Sequence, residues 1–228
     1  MPVKKRIPCI VLARKNSKSI KNKNRIHIGN LTLIEHTIKY LKKSKYIDDI
    51  VISTDDPKIA NIANIYKCFV IFPRPKSLSS DKASSEVALK HALNIYEKQM
   101  GKTEITSFVQ TTEIFKPKRL LDECIKKLIL NKKIDSCFVA YEQFKNFWIK
   151  DNNFLKRISP FKERYKPRQI KSSIFREDTG LGLATRSKLI RKGERIGKKV
   201  TCVSYKDPLY SLDLNSKFDL RLVKKIIN

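Results

Sequence analysis

The chain predicts an α/β fold built on a mostly parallel sheet, and three observations carry that expectation. Short apolar runs recur at Ile10–Ala13, Ile50–Ile52, Cys68–Phe72, Ile105–Gln110 and Ile134–Ala140, each the length of a buried strand. Segments of helical period lie between them. Loop–helix–strand units of this length imply right-handed crossovers and therefore parallel neighbours. At 228 residues the chain can bury the core of one such domain.

The first run, Ile10-Val11-Leu12-Ala13, stops abruptly in a polar, basic loop from Arg14 to Asn24. Such junctions are where α/β proteins gather backbone N–H groups and cations around an anion. Arg14, Lys18 and Lys23 offer charge, and Asn16, Ser17 and Asn24 offer hydrogen-bond partners. The loop has no glycine, which excludes a Walker A motif or a dinucleotide fingerprint. A solvated basic turn has the same composition.

Leu31 to Lys43 follows with apolar residues at helical spacing. After the Ile50–Ile52 strand, Thr54 and Asp55 are suited to cap a helix, and Pro57 opens the segment Lys58–Tyr66 as proline in a first turn should. The Ser/Asp-rich stretch Leu78–Ser85 precedes a helix over Glu86–Lys98, with Ser84 or Ser85 as its cap. Gln110 sits at the carboxyl end of its strand, the end at which such sheets bind ligands. Leu120–Leu130 reads as an amphipathic helix, and Tyr141 to Phe175 as irregular, with Trp148, two prolines and many lysines. Period-two alternation puts Asp213 and Asn215 on the same side of a strand. A closing helix runs to Ile227.

Composition bounds the partners. Apolar residues make up 41%, and no run approaches the length of a membrane span. The basic start MPVKKR precedes an apolar run too short for a signal peptide, so the cytoplasm is the expected compartment. Five cysteines, without a C-x-x-C pair and each in or beside an apolar stretch, read as buried free thiols rather than disulfides or zinc ligands. The three histidines are too scattered for a metal site. The net charge of +28 admits nucleic acid as a partner. The lysines are spread along the whole chain, however, and an acidic, phosphate-bearing small ligand suits that charge equally well.

The string ARKNSKSIKNKN resembles the nucleotide-binding loop of the CMP-sugar synthetases, the cytidylyltransferases that activate sialic acids and related acidic nine-carbon sugars. Their pattern A-R-x-x-S-K-x-[IL]-x-x-K-N is met by Ala13, Arg14, Ser17, Lys18, Ile20, Lys23 and Asn24, with Leu12 before them. V-I-S-T-D-D resembles the family's second strand. Arg74, Pro75, Leu78, Asp81, Ala83, Ser84 and Ser85 match R-P-x-x-L-A-x-D-x-A-S-[ST], and Ser211 to Asn215 match S-I-D-I-D.

This resemblance spans essentially the full chain. It implies a three-layer α/β/α sandwich with a mostly parallel sheet, of the nucleotide-diphosphosugar transferase type. One domain would cover 1–228, with 141–175 as a dimerisation and substrate-covering insertion. It implies CTP and an acidic 2-keto-3-deoxy sugar as substrates, Mg²⁺ as cofactor, a homodimer, and no membrane or nucleic-acid partner. Carried over residue by residue, Leu12, Ala13, Arg14, Asn16, Ser17, Asn24, Arg74 and Ser84 contact the nucleotide. Arg14, Lys18 and Lys23 would stabilise charge on the triphosphate. Gln110, Lys145, Arg168, Gln169 and Asp178 would face the sugar, and Asp213 and Asn215 would hold Mg²⁺.

The departures are specific. The family's Q-P-T-S-P-L-R reads Gln110 to Lys116, with Glu113 for the serine and Lys116 for the arginine. Asp178 replaces the asparagine of N-G-A-[IF]-Y, and Asn215 replaces the second acid of S-I-D-I-D. Glu113 would disfavour an acidic sugar if it points inward. These changes keep open a cytidylyltransferase for pseudaminic, legionaminic or another altered acid, and a catalytically weak or inactive nucleotide-binding relative. The charge keeps open a basic nucleic-acid-binding protein.

Overall fold

A computed structural model describes residues 5–17, 19–80, 83–158, 166–167 and 169–227. β1 (Pro8–Leu12) runs into the basic loop, which holds a 3-10 turn at Lys23–Arg25. A small hairpin, β2 (His27–Ile28) and β3 (Leu31–Thr32), then leads into α1 (Leu33–Leu41). β4 (Asp49–Ser53), α2 (Pro57–Ile65), β5 (Phe69–Ile71) and the short α3 (Lys76–Ser79) come next. They are followed by α4 (Ser85–Met100), β6 (Ile105–Phe108) and α5 (Leu120–Leu130). The final third holds β7 (Ser136–Gln143), a hairpin of β8 (Trp148–Asp151) and β9 (Phe154–Arg157), β10 (Ile174–Glu177), β11 (Leu183–Arg186), α6 (Ser187–Lys192), β12 (Val200–Tyr205) and α7 (Lys217–Ile227).

β1 lies inside the main sheet, parallel to β4 on one edge and to β6 on the other, and β5 continues in parallel beyond β4. Past β6 the direction reverses. β11 is antiparallel to both β6 and β7, β10 is antiparallel to the far end of β7, and β12 runs parallel along the other edge of β7. The sheet is mixed and mostly parallel, as expected.

Helices cover both faces. On one, Ile34, Ile38, Ile59, Leu121 and Ile125 of α1, α2 and α5 pack on Cys9, Val11 and Val139. On the other, Leu89, Leu93 and Tyr96 of α4 and Ile190 of α6 pack on Ile10, Val51 and Phe108. Successive residues of β1 therefore enter opposite cores, which is why the strand reads as a continuous apolar run. A third cluster, Ile20, Ile28, Leu33, Leu214 and Val223, ties the loop after β1 to the C-terminal segment. Among the described residues no helix is long and apolar enough to cross a membrane.

Several local expectations change. The cap of α2 is Asp56, whose side chain accepts from the Lys58 N–H, while the Thr54 hydroxyl accepts from the Asp56 N–H. The described residues between 141 and 175 are less irregular than their sequence: β7 extends to Gln143, and the β8–β9 hairpin and the start of β10 lie among them. Asp178–Gly182 forms the turn between β10 and β11. Residues 208–211 coil into a 3-10 turn with Pro208 in its first position. After it, Asp213 alone bridges to Glu113, so the expected strand shrinks to one pair. The five cysteines are free thiols, with Cys9, Cys124 and Cys137 buried and Cys68 and Cys202 partly so.

Candidate active site

A cavity of about 360 Å³ opens at the carboxyl ends of β1 and β6. The basic loop contributes Leu12, Arg14, Ser17, Lys23 and Asn24 to its wall; the approach to α4 contributes Arg74 and Ser84, and the end of β6 contributes Gln110, Thr111 and Thr112. Asn215 closes it from the C-terminal segment. Ser84 caps α4 by accepting from the Val87 N–H at 3.3 Å, and Ser84, Ser85 and Ala88 all line the cavity. The positive end of a 16-residue helix thus faces the space.

The loop is held open by its own amides. Asn24 donates through Nδ2 to the Arg14 carbonyl at 2.9 Å and accepts at Oδ1 from the Thr111 hydroxyl at 2.6 Å. Asn22 sits at φ +55°, a left-handed conformation that asparagine tolerates, and starts the 3-10 turn that presents Lys23. The Lys23 ammonium donates to the Leu214 carbonyl at 2.5 Å and lies 3.4 Å from Asn215 Oδ1. One cation therefore joins residues 191 positions apart. Burial lowers the Lys23 pKa, and the charges of Asp213 and Glu113 oppose that shift.

Arg74 is buried, 4% exposed. Its Nε donates to Ser79 Oγ at 3.1 Å, and Nη2 lies 3.9 Å from Asp55 Oδ1. The same Asp55 oxygen accepts from the Lys15 N–H at 2.8 Å, so one carboxylate positions both the basic loop and the arginine. Burial lowers the Arg74 pKa, Asp55 raises it, and nearby Arg14 lowers it further. Two guanidinium groups converging on one cavity are a site for an anion.

Beside the cavity lies a mixed charge cluster. Glu113 Oε2 accepts from the Thr112 hydroxyl at 2.8 Å, and the Lys116 ammonium donates to the Glu113 carbonyl. Burial drives the Lys116 pKa down to about 8, against the opposing pull of Glu113. Asp213 Oδ2 accepts from Asn215 Nδ2 at 2.6 Å, while Asp213 Oδ1 is buried without a partner among the described residues. Asp219 anchors the turn below: its Oδ2 accepts from the Asn215 and Ser216 N–H groups at 2.9 and 2.6 Å. Among the described residues no three His, Cys, Asp or Glu side chains form a metal site. Mg²⁺ bound through phosphates needs one or two carboxylates, and an orphaned buried carboxylate oxygen fits that requirement.

The structure gathers Leu12, Arg14, Ser17, Lys23, Asn24, Arg74, Ser84, Gln110 and Asn215 around one space. The others lie elsewhere. Ala13 is buried beneath it, donating its N–H to the Ser53 carbonyl at 3.0 Å, and Asn16 is exposed on the loop. Asp213 sits behind Asn215 rather than on the wall. Lys145 lines a separate hollow at the end of β7, and Gln169 is exposed. Asp178 does not face the cavity: its carboxylate is bidentate with Arg176 at 2.8 and 2.9 Å and accepts from the Tyr205 hydroxyl. Lys18 and Arg168 lie outside the described residues. Thr111 and the bridging role of Asp55 were missed. Thr111 shows in the sequence only as a polar residue after a strand, and Asp55 looked like a cap.

The architecture is similar to that of a CMP:2-keto-3-deoxy-manno-octonic acid synthetase solved in complex with CTP, with a TM-score of 0.67 over 97% of this chain and 98% of that one, at 12% identity. The fold is that of the nucleotidyltransferase class. Sequence narrows the class: the chain belongs to the cytidylyltransferase family, whose model matches residues 8–220, and it is a CTP-dependent nucleotidyltransferase similar to acylneuraminate and pseudaminic acid cytidylyltransferases. It is 32% identical over 165 residues to a pseudaminic acid cytidylyltransferase of Campylobacter jejuni subsp. jejuni, covering 70% of this chain and 69% of that protein. It is also 38% identical over 87 residues to a CMP-N,N'-diacetyllegionaminic acid synthase of the same subspecies, covering 38% of this chain and 37% of that one.

Proposed function

We propose that the chain joins CMP from CTP to the anomeric hydroxyl of an acidic 2-keto-3-deoxy nonulosonic sugar, in the manner of its pseudaminic and legionaminic relatives, and releases pyrophosphate. The observation that carries this reading is Lys23, whose buried ammonium locks the basic loop to the segment bearing Asp213 and Asn215. This contact supports a reading in which cations for a triphosphate and a carboxylate for its counterion act together.

The sugar hydroxyl attacks the α-phosphorus and the bond to the β-phosphate oxygen breaks. Arg14 and Lys23 stabilise the charge that builds on the phosphoryl oxygens, and Lys18 joins them in this reading. Leu12, Ser17, Asn24, Arg74 and Ser84 hold the nucleotide, with Ala13 fixing the end of β1 beneath them. Gln110 orients the sugar and makes the attack effectively unimolecular, while Lys145, Arg168 and Gln169 belong to the 141–175 segment and would act from a second copy. Bound at Asp213 and its neighbours, Mg²⁺ would neutralise charge on the triphosphate.

The proposal extends to the assembly. Trp148, Ile149, Phe154 and Leu155 of the β8–β9 hairpin expose large apolar side chains, as an interface does. Residues 141–175 would then reach over the site of a second copy in a homodimer, working in the cytoplasm where CTP is made. Sedimentation velocity should give twice the monomer mass; a monomer at enzyme concentrations well above those of the assay would remove this part.

The decisive assay follows pyrophosphate from CTP and Mg²⁺ across neuraminic, pseudaminic, legionaminic and 3-deoxy-octulosonic acids. Release with a nonulosonic acid is expected, and Arg14→Ala should lower kcat/KM by about 10²–10³-fold. No release with any acid, from protein that still binds CTP, would overturn the proposal.

A further inference from the structure

A negative charge is missing at Asn215, and another acid, Glu113, is bridged to Asp213 two residues before it. Glu113 and Asp213 face one another as a single antiparallel bridge between the segment after β6 and the segment before α7. Asp213 Oδ1 is the buried, unpartnered oxygen there. The Asn215 amide is turned away from a ligand's role: its Nδ2 donates to Asp213 at 2.6 Å, and its Oδ1 faces the Lys23 ammonium at 3.4 Å. Both ends of that amide are matched to protein neighbours.

Glu113 is placed with some care. Thr112 donates to its Oε2, and its Oε1 lies 1.9 Å from where a Cβ on residue 180 would stand. Gly180 is thus the cradle for this carboxylate, and any side chain there would push it out. Gly180 is itself fixed, since its carbonyl accepts from the Gln110 N–H at 2.9 Å. Burial raises the Glu113 pKa, Lys116 lowers it, and the Asp213 charge raises it again. A divalent cation between two such carboxylates relieves their repulsion.

We propose that Glu113 and Asp213 together supply the carboxylate oxygens for the divalent cation that accompanies the triphosphate, in place of an acid at position 215. This rests on the cytidylyl-transfer reading. It assigns to Glu113 a role as ligand and to Gly180 one as its positioning residue.

The test uses the full chain, with CTP affinity measured once in EDTA and once with Mn²⁺, so that the tightening caused by the metal is the readout. In the wild type Mn²⁺ should tighten CTP binding. Glu113→Gln should lose about tenfold or more of that tightening, with no weakening in EDTA. Gly180→Ala should do the same without altering any charge, because the atom it displaces is the free end of a side chain; circular dichroism checks that both variants fold. Asn215→Asp, added to Glu113→Gln, should restore the tightening. If either single variant keeps the wild-type response, or if Mn²⁺ leaves wild-type CTP affinity unchanged, the assignment of Glu113 is overturned while the nucleotide site stands. If the wild type binds no CTP in either medium, the cytidylyl-transfer reading falls with it.

Discussion

Lys116 shows how a residue can be visible in a sequence while its environment is not. Its position marked a departure from an arginine, but nothing local said that the ammonium is buried near Cys9, a residue more than a hundred positions earlier. Burial holds its pKa down at about 8, from an ordinary value of 10.5. The folded chain therefore gives up this proton more readily than the unfolded chain does. Below pH 8 both states are protonated and the cost of burying the charge is fully present. Between about 8 and 10.5 the unfolded state binds more protons, so this group makes stability rise with pH. Urea unfolding of wild type and Lys116→Met should show the stability difference moving in favour of wild type as the pH is raised from neutrality to 10. A difference independent of pH would place the ammonium in contact with solvent. Glu113 carries the same lesson. Its charge was legible, but its direction depends on the missing Cβ of Gly180, which only the packing of two distant segments reveals.

At the scale of elements, legibility followed the strength of the local signal. α5 has the bounds expected from its amphipathic period, because its apolar stripe is unbroken and a buried face fixes it. β12 went unread, since Val200 is 47% exposed and its alternation is faint. Asp213 and Asn215 were read as strand residues from their period. They do face one another, yet through a side-chain hydrogen bond rather than a ladder. The start of α1 was readable and was passed over. Thr32-Leu33-Ile34-Glu35 is a capping box: Glu35 Oε2 accepts from the Thr32 N–H at 2.8 Å, and Thr32 Oγ1 accepts from the Glu35 N–H at 3.4 Å. Thr32 is also buried, so its hydroxyl has no water to replace the partner. Thr32→Ala should lower unfolding free energy by about 1–2 kcal/mol, and Thr32→Ser should recover most of it. Equal losses for both would mean that the methyl group, not the cap, matters.

The whole molecule carries a net charge of +28, and the ion pairs do little to offset it. Lys5–Glu104 is more than half exposed on both sides, and exposed pairs of that kind contribute at most about 1 kcal/mol. The prevailing long-range term is repulsion among cations, which destabilises the compact state. Salt should then act in opposite directions on folding and on ligand binding. Raising ionic strength from about 0.01 M to about 0.1 M shortens the reach of each charge from about 30 Å to about 10 Å. The melting temperature should rise as the repulsion is screened. CTP affinity should fall over the same range if, as proposed, Arg14, Lys23 and Arg74 of the cavity attract the triphosphate through the same medium. Thermal melts and CTP titrations at matched salt concentrations check both. A melting temperature that falls with salt would show that local pairs such as Arg191–Glu97, 2.7 Å apart with the carboxylate nearly buried, outweigh the global charge. An affinity indifferent to salt would show that the cavity holds its ligand by something other than these cations.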